Sequence, residues 1–319
     1  MESEVSAVLV SVSRRTDIPA RYAAWFMQRV RTGEVYTRNP RNPALLTRVP
    51  LSPQTVDGFV FWSKDPAPLA PFLPELTAMG YAWYLQFTLT PYDRSIECGL
   101  REKATIVRTF REIAHSHGAQ RLVWRYDPIL LTDAMDVSWH KGQFVHLCEQ
   151  LAGCTDTVTI SFVDTYGRKD PRFRAPTLAE EQELAGFIGE CAPRYGLQPV
   201  ACCEQQSRLA PFGIRQAACI DAERLAVIGG WPLEVQKDKN QRPGCGCCAA
   251  VDIGAYDTCT NGCISCYATH DKNGARAARA AAAHDPASPL LCGSLLPGET
   301  PREYPAKSLK ITQQSLVEL

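Results

Sequence analysis

The sequence predicts an α/β fold built on parallel strands, a full or partial (β/α) barrel, on three observations. Short apolar runs alternate with amphipathic stretches through the first two-thirds of the chain, the pattern of parallel strands joined by right-handed crossovers. Six of the apolar runs have strand length and strand composition. Each is followed by polar or charged residues, as at the C-terminal strand ends where barrels gather their function.

The first strand is expected at Val8–Ser13, ahead of Arg14-Arg15-Thr16-Asp17 and a helix over Ala20–Thr32. An extended pair, Glu34–Asn39 and Ala44–Val49, precedes the second strand, Phe59–Trp62, which leads into Ser63-Lys64-Asp65-Pro66. A helix over Pro68–Ala78 and the strand Trp83–Thr90 follow, the latter carrying Gln86, Thr88 and Thr90. Then come a helix (Glu102–His115), a strand (Arg121–Tyr126) running into Asp127-Pro128, and a helix (Trp139–Leu151). Strand Val158–Val163 bears Ser161 beside Asp164; helix Leu178–Tyr195 leads to strand Pro199–Cys203 and Glu204. Six polar strand ends read together as the walls of one pocket. Arg14, Arg15, Arg125 and Asp127 are its candidate substrate or cofactor contacts, since an arginine pair suits a carboxylate or phosphate.

From about Lys237 the composition shifts toward cysteine, then to an Ala/Arg-rich helical stretch (Gly274–His284) and a Pro-punctuated tail. The expected organisation is a barrel portion, residues 1–236, completed by a cysteine-rich portion, 237–319, within one domain.

With Lys+Arg and Asp+Glu at 34 each, the formal net charge is zero. That disfavours a bulk electrostatic attraction to nucleic acid or membrane. No apolar run approaches the ~18 residues of a membrane span, and no charged-then-apolar leader opens the chain. A cytoplasmic protein is expected. The His residues lack metalloprotease spacing and are read as surface or capping groups.

The 14 cysteines dominate what is left, and seven of them (Cys219, Cys245, Cys247, Cys248, Cys259, Cys263, Cys266) fall within 48 residues. In a chain read as cytoplasmic this points to metal or cluster ligation rather than disulfides. Cys98, Cys148, Cys154, Cys191 and Cys292 read as small buried hydrophobes. Cys259, Cys263 and Cys266 form a C-x3-C-x2-C run followed by Tyr267. Three close thiolates hold three corners of an iron–sulfur cubane and leave one iron open, where S-adenosylmethionine (SAM) can bind. A structural zinc prefers four protein ligands in two short pairs, and a ferredoxin cluster wants a fourth local thiolate. Cys203, Cys219, Cys245 and Cys247, with Cys202 and Cys248 as substitutes, suffice for a second site, an auxiliary iron–sulfur cluster or a zinc.

Four segments together carry a resemblance: Ser11-Val-Ser-Arg-Arg-Thr-Asp-Ile-Pro19, Phe61-Trp-Ser-Lys-Asp-Pro66, Trp124-Arg-Tyr-Asp-Pro128 and Asp252-Ile-Gly-Ala-Tyr-Asp-Thr-Cys-Thr-Asn-Gly-Cys-Ile-Ser-Cys-Tyr-Ala268. The chain resembles a bacterial family known only as a domain of unknown function, with a C-terminal cysteine cluster similar to that of radical-SAM enzymes. The Ser-Lys-Asp-Pro and Arg-Tyr-Asp-Pro segments resemble, more distantly, the spore photoproduct lyase group. The radical-SAM likeness implies a [4Fe–4S] cluster on Cys259, Cys263 and Cys266 with SAM held by Lys64, and Lys64, Arg125 and Asp127 are the candidate catalytic residues. A small-molecule or peptide substrate and an electron donor such as flavodoxin or ferredoxin are expected. DNA lesion repair and a zinc-stabilised binding protein are the alternatives.

Two departures from the radical-SAM pattern stand out. Ser265 replaces the usual aromatic before the third cysteine, and the Gly-Gly-Glu-type SAM segment is missing. Ser13, Arg14 or Asp17 would take its place, with Thr88 and Tyr267 as further cofactor contacts. The cluster loop ordinarily follows the first barrel strand. Its place near the C-terminus implies circular permutation, with Val251–Gly254 as the strand that opens it beside Val8–Ser13.

Overall fold

A computed structural model describes residues 8–164, 171–242, 244–271, 273–306 and 308–311. The strands are β1 (Leu9–Val12), β2 (Glu34–Arg38), β3 (Leu46–Pro50), β4 (Gly58–Ser63), β5 (Trp83–Thr88), β6 (Leu122–Ile129), β7 (Thr157–Phe162), β8 (Gln198–Ala201), β9 (Arg215–Gln216), β10 (Val251–Asp252) and β11 (Arg302–Glu303). The helices are α1 (Ile18–Arg21), α2 (Ala23–Thr32), α3 (Leu73–Ala78), α4 (Lys103–His117), α5 (Val137–Leu151), α6 (Leu178–Cys191), α7 (Gln206–Leu209), α8 (Ala222–Gly229) and α9 (Ala275–Ala282). Eight strands form one sheet in the order β10-β1-β4-β5-β6-β7-β8-β9, and β2, β3 and β11 form a small second sheet. The fold is mostly parallel α/β, as the strand–helix alternation predicts.

The chain divides into two compact units. One takes the residues up to Leu85, Ile220–Lys239 and everything from Cys248 onward; the other takes Gln86–Cys219 and Asn240–Cys247. The division falls within β5.

In the first unit, β1 pairs in parallel with β4 on one side and with β10 on the other, Val10 opposite Val251 and Ser11 opposite Asp252. The strand that opens the cysteine loop therefore lies beside the N-terminal one, as the sequence suggested. Phe26 of α2 packs edge-on against Phe59 and Phe61 of β4, with ring centroids 5.2 and 5.4 Å apart. Such aromatic pairs contribute roughly 0.5–1.5 kcal/mol beyond the area they bury. β2 and β3 are antiparallel, Val35 opposite Val49, where the sequence placed its extended pair.

The helix expected over Ala20–Thr32 is two helices. α1 starts two residues early because the Asp17 carboxylate caps Ala20 N–H at 3.0 Å and Pro19 suits a first turn. The break falls at Tyr22 (φ −137°), whose hydroxyl donates to the Thr258 carbonyl at 2.6 Å. A 3₁₀ turn at Ala70–Phe72 precedes α3, which starts at Leu73 with Pro74 in its first turn, later than expected.

In the second unit, β6 pairs in parallel with β7, β7 with β8 and β8 with β9. β6 runs on to Ile129, past the expected end at Tyr126, through a register shift between the two. Trp124 and Tyr126 pack on Phe144 of α5, with centroids 5.2 and 5.4 Å away. α6 opens on a full capping box between Thr177 and Glu180. It gives way at Ala192 to a 3₁₀ turn because Pro193 has no N–H to continue the helix.

Two sequence readings need correction. His140 is neither a surface nor a capping group but 1% exposed. Its Nε2 donates to the Leu130 carbonyl at 2.8 Å, so Nδ1 accepts the Tyr126 hydroxyl at 2.7 Å, and burial lowers its pKa. Cys98 is exposed, and Cys154 and Cys292 are only half-buried, whereas Cys148 and Cys191 are buried as expected. Among the described residues no helix is long and apolar enough to cross a membrane.

Candidate functional site

The three-cysteine loop leaves the C-terminal end of β10 and meets the residues that follow β1 and β4. Asp252, not foreseen as a site residue, anchors this junction. Its buried carboxylate accepts hydrogen bonds from Ser11 Oγ (2.6 Å), Ser13 Oγ (2.5 Å), Arg14 N (2.8 Å) and Gly254 N (3.0 Å). The Arg14 and Arg15 guanidinium groups stand 3.8 and 3.9 Å from it. Ser13 and Arg14 thus fasten the loop's opening strand to β1. A Cβ on Gly254 would lie 2.1 Å from Ser13 Oγ, so only glycine allows this approach.

Asp17 is the second anchor. Its Oδ2 accepts the Lys64 N–H at 2.9 Å and Asn261 Nδ2 at 2.8 Å, while Asn261 Oδ1 accepts Arg21 Nε at 2.7 Å. One carboxylate therefore ties the end of β4 to the middle of the cysteine loop. Burial pushes its carboxyl above the usual range, against the hydrogen bonds that favour the charge. Lys64 is half-buried.

Cys259, Cys263 and Cys266 are all half-buried. Burial, and next the Asp17 carboxylate, push the Cys259 thiol up to about 12, although the backbone N–H groups of Asn261 and Asp17 donate to its sulfur. The Cys266 N–H bonds the Cys263 carbonyl at 3.2 Å, and Thr269 Oγ1 lies 3.8 Å from Cys266 Sγ. Tyr267 is half-exposed and donates its hydroxyl to the Arg14 carbonyl at 2.7 Å, closing the loop over the residues after β1. Thr16, between these anchors, keeps a buried hydroxyl with no hydrogen-bond partner among the described residues.

This donor set fits an iron–sulfur cluster. It offers three sulfurs on one loop, amide donors aimed at Cys259 Sγ, and an unsatisfied buried hydroxyl at the strand end alongside. Amide hydrogen bonds to a ligating sulfur are one of the protein's levers on such clusters.

The other expected residues lie in the second unit. Thr88 is half-buried at the end of β5. Arg125 is buried, and its Nη1 donates to Gln86 Oε1 and to Cys219 Sγ, both at 3.1 Å. Its Nη2 bonds Asp127, whose other oxygen takes the Ser161 hydroxyl. Burial works against the guanidinium charge, but the Cys219 thiolate and the Asp127 carboxylate more than offset it.

Five cysteines of this unit come together. The sulfurs of Cys202, Cys203 and Cys245 all lie within 4.8 Å of one another, a group able to hold a metal ion. Cys202 Sγ is 3.9 Å from Cys203 Sγ and 2.9 Å from Cys219 Sγ. The Cys247 N–H reaches Cys245 Sγ at 3.5 Å. Contacts with Cys203, Cys219, Cys245 and Cys247 drive the Cys202 thiol far above its ordinary range. Cys202 in turn lowers Cys203, holds Cys219 well below it, and brings Cys245 down to about 5. Cys203, Cys219, Cys245 and Cys247 were the expected set, with Cys202 only a substitute; the structure puts Cys202 at the centre. Cys248 lies in the first unit, its N–H on the Ile220 carbonyl at 3.1 Å.

A family described as Domain of unknown function (DUF1848) matches residues 9–268, from β1 to just beyond Cys266. The chain belongs to that family. No curated protein and no solved structure matches it. The DUF1848 match spans both cysteine groups and both anchoring carboxylates, Asp17 and Asp252.

Proposed function

We propose that this DUF1848 protein is a radical-SAM enzyme on a circularly permuted (β/α) barrel. Cys259, Cys263 and Cys266 would hold a [4Fe–4S] cluster, with SAM bound at the iron they leave open. One observation carries the reading: β10 lies parallel to β1, so the three-cysteine loop emerges from a strand end beside those of β1 and β4. A first strand–loop–helix unit moved to the C-terminus would occupy that place, with α9 as its helix.

Held by Cys259, Cys263 and Cys266, a cluster would supply the electron for reductive cleavage of SAM, and with it the means to take hydrogen from a substrate. The protein's own part is to bind and orient. Lys64 offers the SAM carboxylate a cation, and Asp17 fixes the backbone from which that lysine extends. Ser13 and Arg14, held by Asp252, line the approach in place of the missing glycine-rich segment. Arg125 and Asp127 are occupied with Cys219 and Ser161 and are given no part at this centre. The expected substrate is a small molecule or peptide, and the electron donor a flavodoxin or ferredoxin.

Anaerobic reconstitution tests this reading. About four irons per chain on the trio, with 5′-deoxyadenosine formed from SAM on reduction, is the expected result. Both should vanish in Cys259→Ala/Cys263→Ala. Zinc on the trio, with no nucleoside product, would overturn the proposal in favour of a zinc-stabilised binding protein.

A further inference from the structure

Three sulfurs at the end of β8, those of Cys202, Cys203 and Cys245, are grouped closely enough for a single ion. In extended chain, neighbouring side chains point to opposite faces. Cys203 instead has a left-handed backbone, φ 59°, at the second residue after β8. Its sulfur and that of Cys202 therefore converge to 3.9 Å. A non-glycine residue held in that region marks a place where the surroundings impose the conformation, and such places cluster at functional sites. With zinc–sulfur bonds near 2.3 Å, a tetrahedral site has sulfur–sulfur edges of about 3.8 Å. Cys202, Cys203 and Cys245, all within 4.8 Å of one another, are close to that spacing. A cubane gives each cysteine its own iron and spreads the sulfurs more widely.

We infer that the second unit carries a mononuclear tetrathiolate zinc site formed by Cys202, Cys203, Cys219 and Cys245. Cys219 lies outside the trio whose sulfurs are all within 4.8 Å of one another, but its sulfur touches Cys202 at 2.9 Å and receives Arg125 Nη1 at 3.1 Å, so it is the candidate fourth ligand and must draw back from Cys202 to reach the tetrahedral edge. The Cys219 carbonyl is held as well, by Gln86 Nε2 at 2.9 Å. Cys247 is assigned a supporting part, its N–H directed at Cys245 Sγ and its own thiol in contact with Cys202, Cys219 and Cys245. Four thiolates on one divalent cation leave two negative charges, and ligation releases the thiol protons. The buried Arg125 guanidinium, bonded directly to one ligating sulfur, stands against that charge. Its place between Gln86, Asp127 and Cys219 is accounted for by orienting a metal ligand, the kind of outer contact that metal sites depend on. Four protein ligands close the coordination sphere, so the site is structural. It is independent of the radical-SAM reading.

Metal analysis of the full-length protein tests the inference. Zinc is expected at about one per chain, lost in Cys203→Ala/Cys245→Ala and retained both in Cys247→Ala and in Cys259→Ala/Cys263→Ala. Iron should be retained in Cys203→Ala/Cys245→Ala and in Cys247→Ala and lost in Cys259→Ala/Cys263→Ala, so failure at one centre is distinguishable from failure at the other. Cobalt(II) added to zinc-stripped wild-type protein should give the intense thiolate charge-transfer and tetrahedral d–d bands of a four-sulfur site. That readout needs no variant and stands even if the double alanine chain does not fold. About eight irons per chain without zinc, or a cobalt spectrum lacking tetrahedral bands, would overturn the mononuclear site. Zinc lost from Cys247→Ala but kept in Cys219→Ala would overturn the choice of fourth ligand.

Discussion

Removing the Asp252 carboxylate should detach the cysteine loop from β1, and the size of the effect follows from its four donors. Ser11 Oγ and Ser13 Oγ are hydroxyls that can turn to other acceptors. The N–H groups of Arg14 and Gly254, at 2.8 and 3.0 Å, cannot. In Asp252→Ala both amides lose their acceptor, at about 1–3 kcal/mol each. The Arg14 and Arg15 guanidinium groups are partly solvated and add little. A loss of about 4 kcal/mol is expected for alanine. Asp252→Asn keeps one oxygen for Ser13 and Gly254 but turns an NH2 toward the Arg14 N–H, so about 2 kcal/mol is expected. Urea unfolding should rank wild type, Asn and Ala in descending stability. Hydrogen exchange should quicken at Ile253, whose N–H reaches the Ser11 carbonyl at 3.2 Å. Equal costs for Asn and Ala, or under about 1 kcal/mol for Ala, would refute this reasoning.

Three more outcomes are expected. Gly254→Ala puts a Cβ 2.1 Å from Ser13 Oγ and 2.6 Å from its Cβ; a loss of about 1–3 kcal/mol in urea is predicted, and a neutral effect would contradict the close approach. Burial raises the Asp17 pKa, so its titration contributes stability that is complete below the unfolded carboxyl range and lost as pH rises through the folded value. The stability of wild type relative to Asp17→Asn should therefore be greater at pH ~4 than at pH ~7, and a gap that instead grows with pH counts against it. Arg125→Met leaves Asp127 and Cys219 without their buried cation, at about 3–5 kcal/mol. Adding Asp127→Asn should recover part of that loss, and a double variant no more stable than the single would exclude the ion pair as the cause.

Strand–helix alternation was legible because parallel strands covered by helices leave long apolar runs and helical periodicity in the chain itself. Boundaries slipped where a side chain acted from a distance. Tyr22 breaks a helix to reach Thr258, 236 positions away. His140 looked like a surface histidine because helical position alone does not reveal Tyr126 and Leu130 closing on both ring nitrogens. Asp252 stands inside the segment that carries the family resemblance, but an aspartate just ahead of a glycine is ordinary loop chemistry and does not by itself mark an anchor. Its four donors come from β1 and from its own turn, and only strand pairing brings them to it.

By itself the sequence determined the α/β class and the three-cysteine loop, consequences of local pattern and of spacing along the chain, while the placing of its strand beside β1 followed from the likeness to radical-SAM barrels. Tertiary structure decided which sulfurs meet. Cys202, at the end of β8, gathers Cys203, Cys219, Cys245 and Cys247 only because β9 and the residues after Asn240 fold back on that strand end. Arg125, which by sequence resembled a substrate contact, proves to be bonded to one of those sulfurs. A buried cation takes the nearest negative charge, and which charge is nearest is settled by packing rather than by order in the chain.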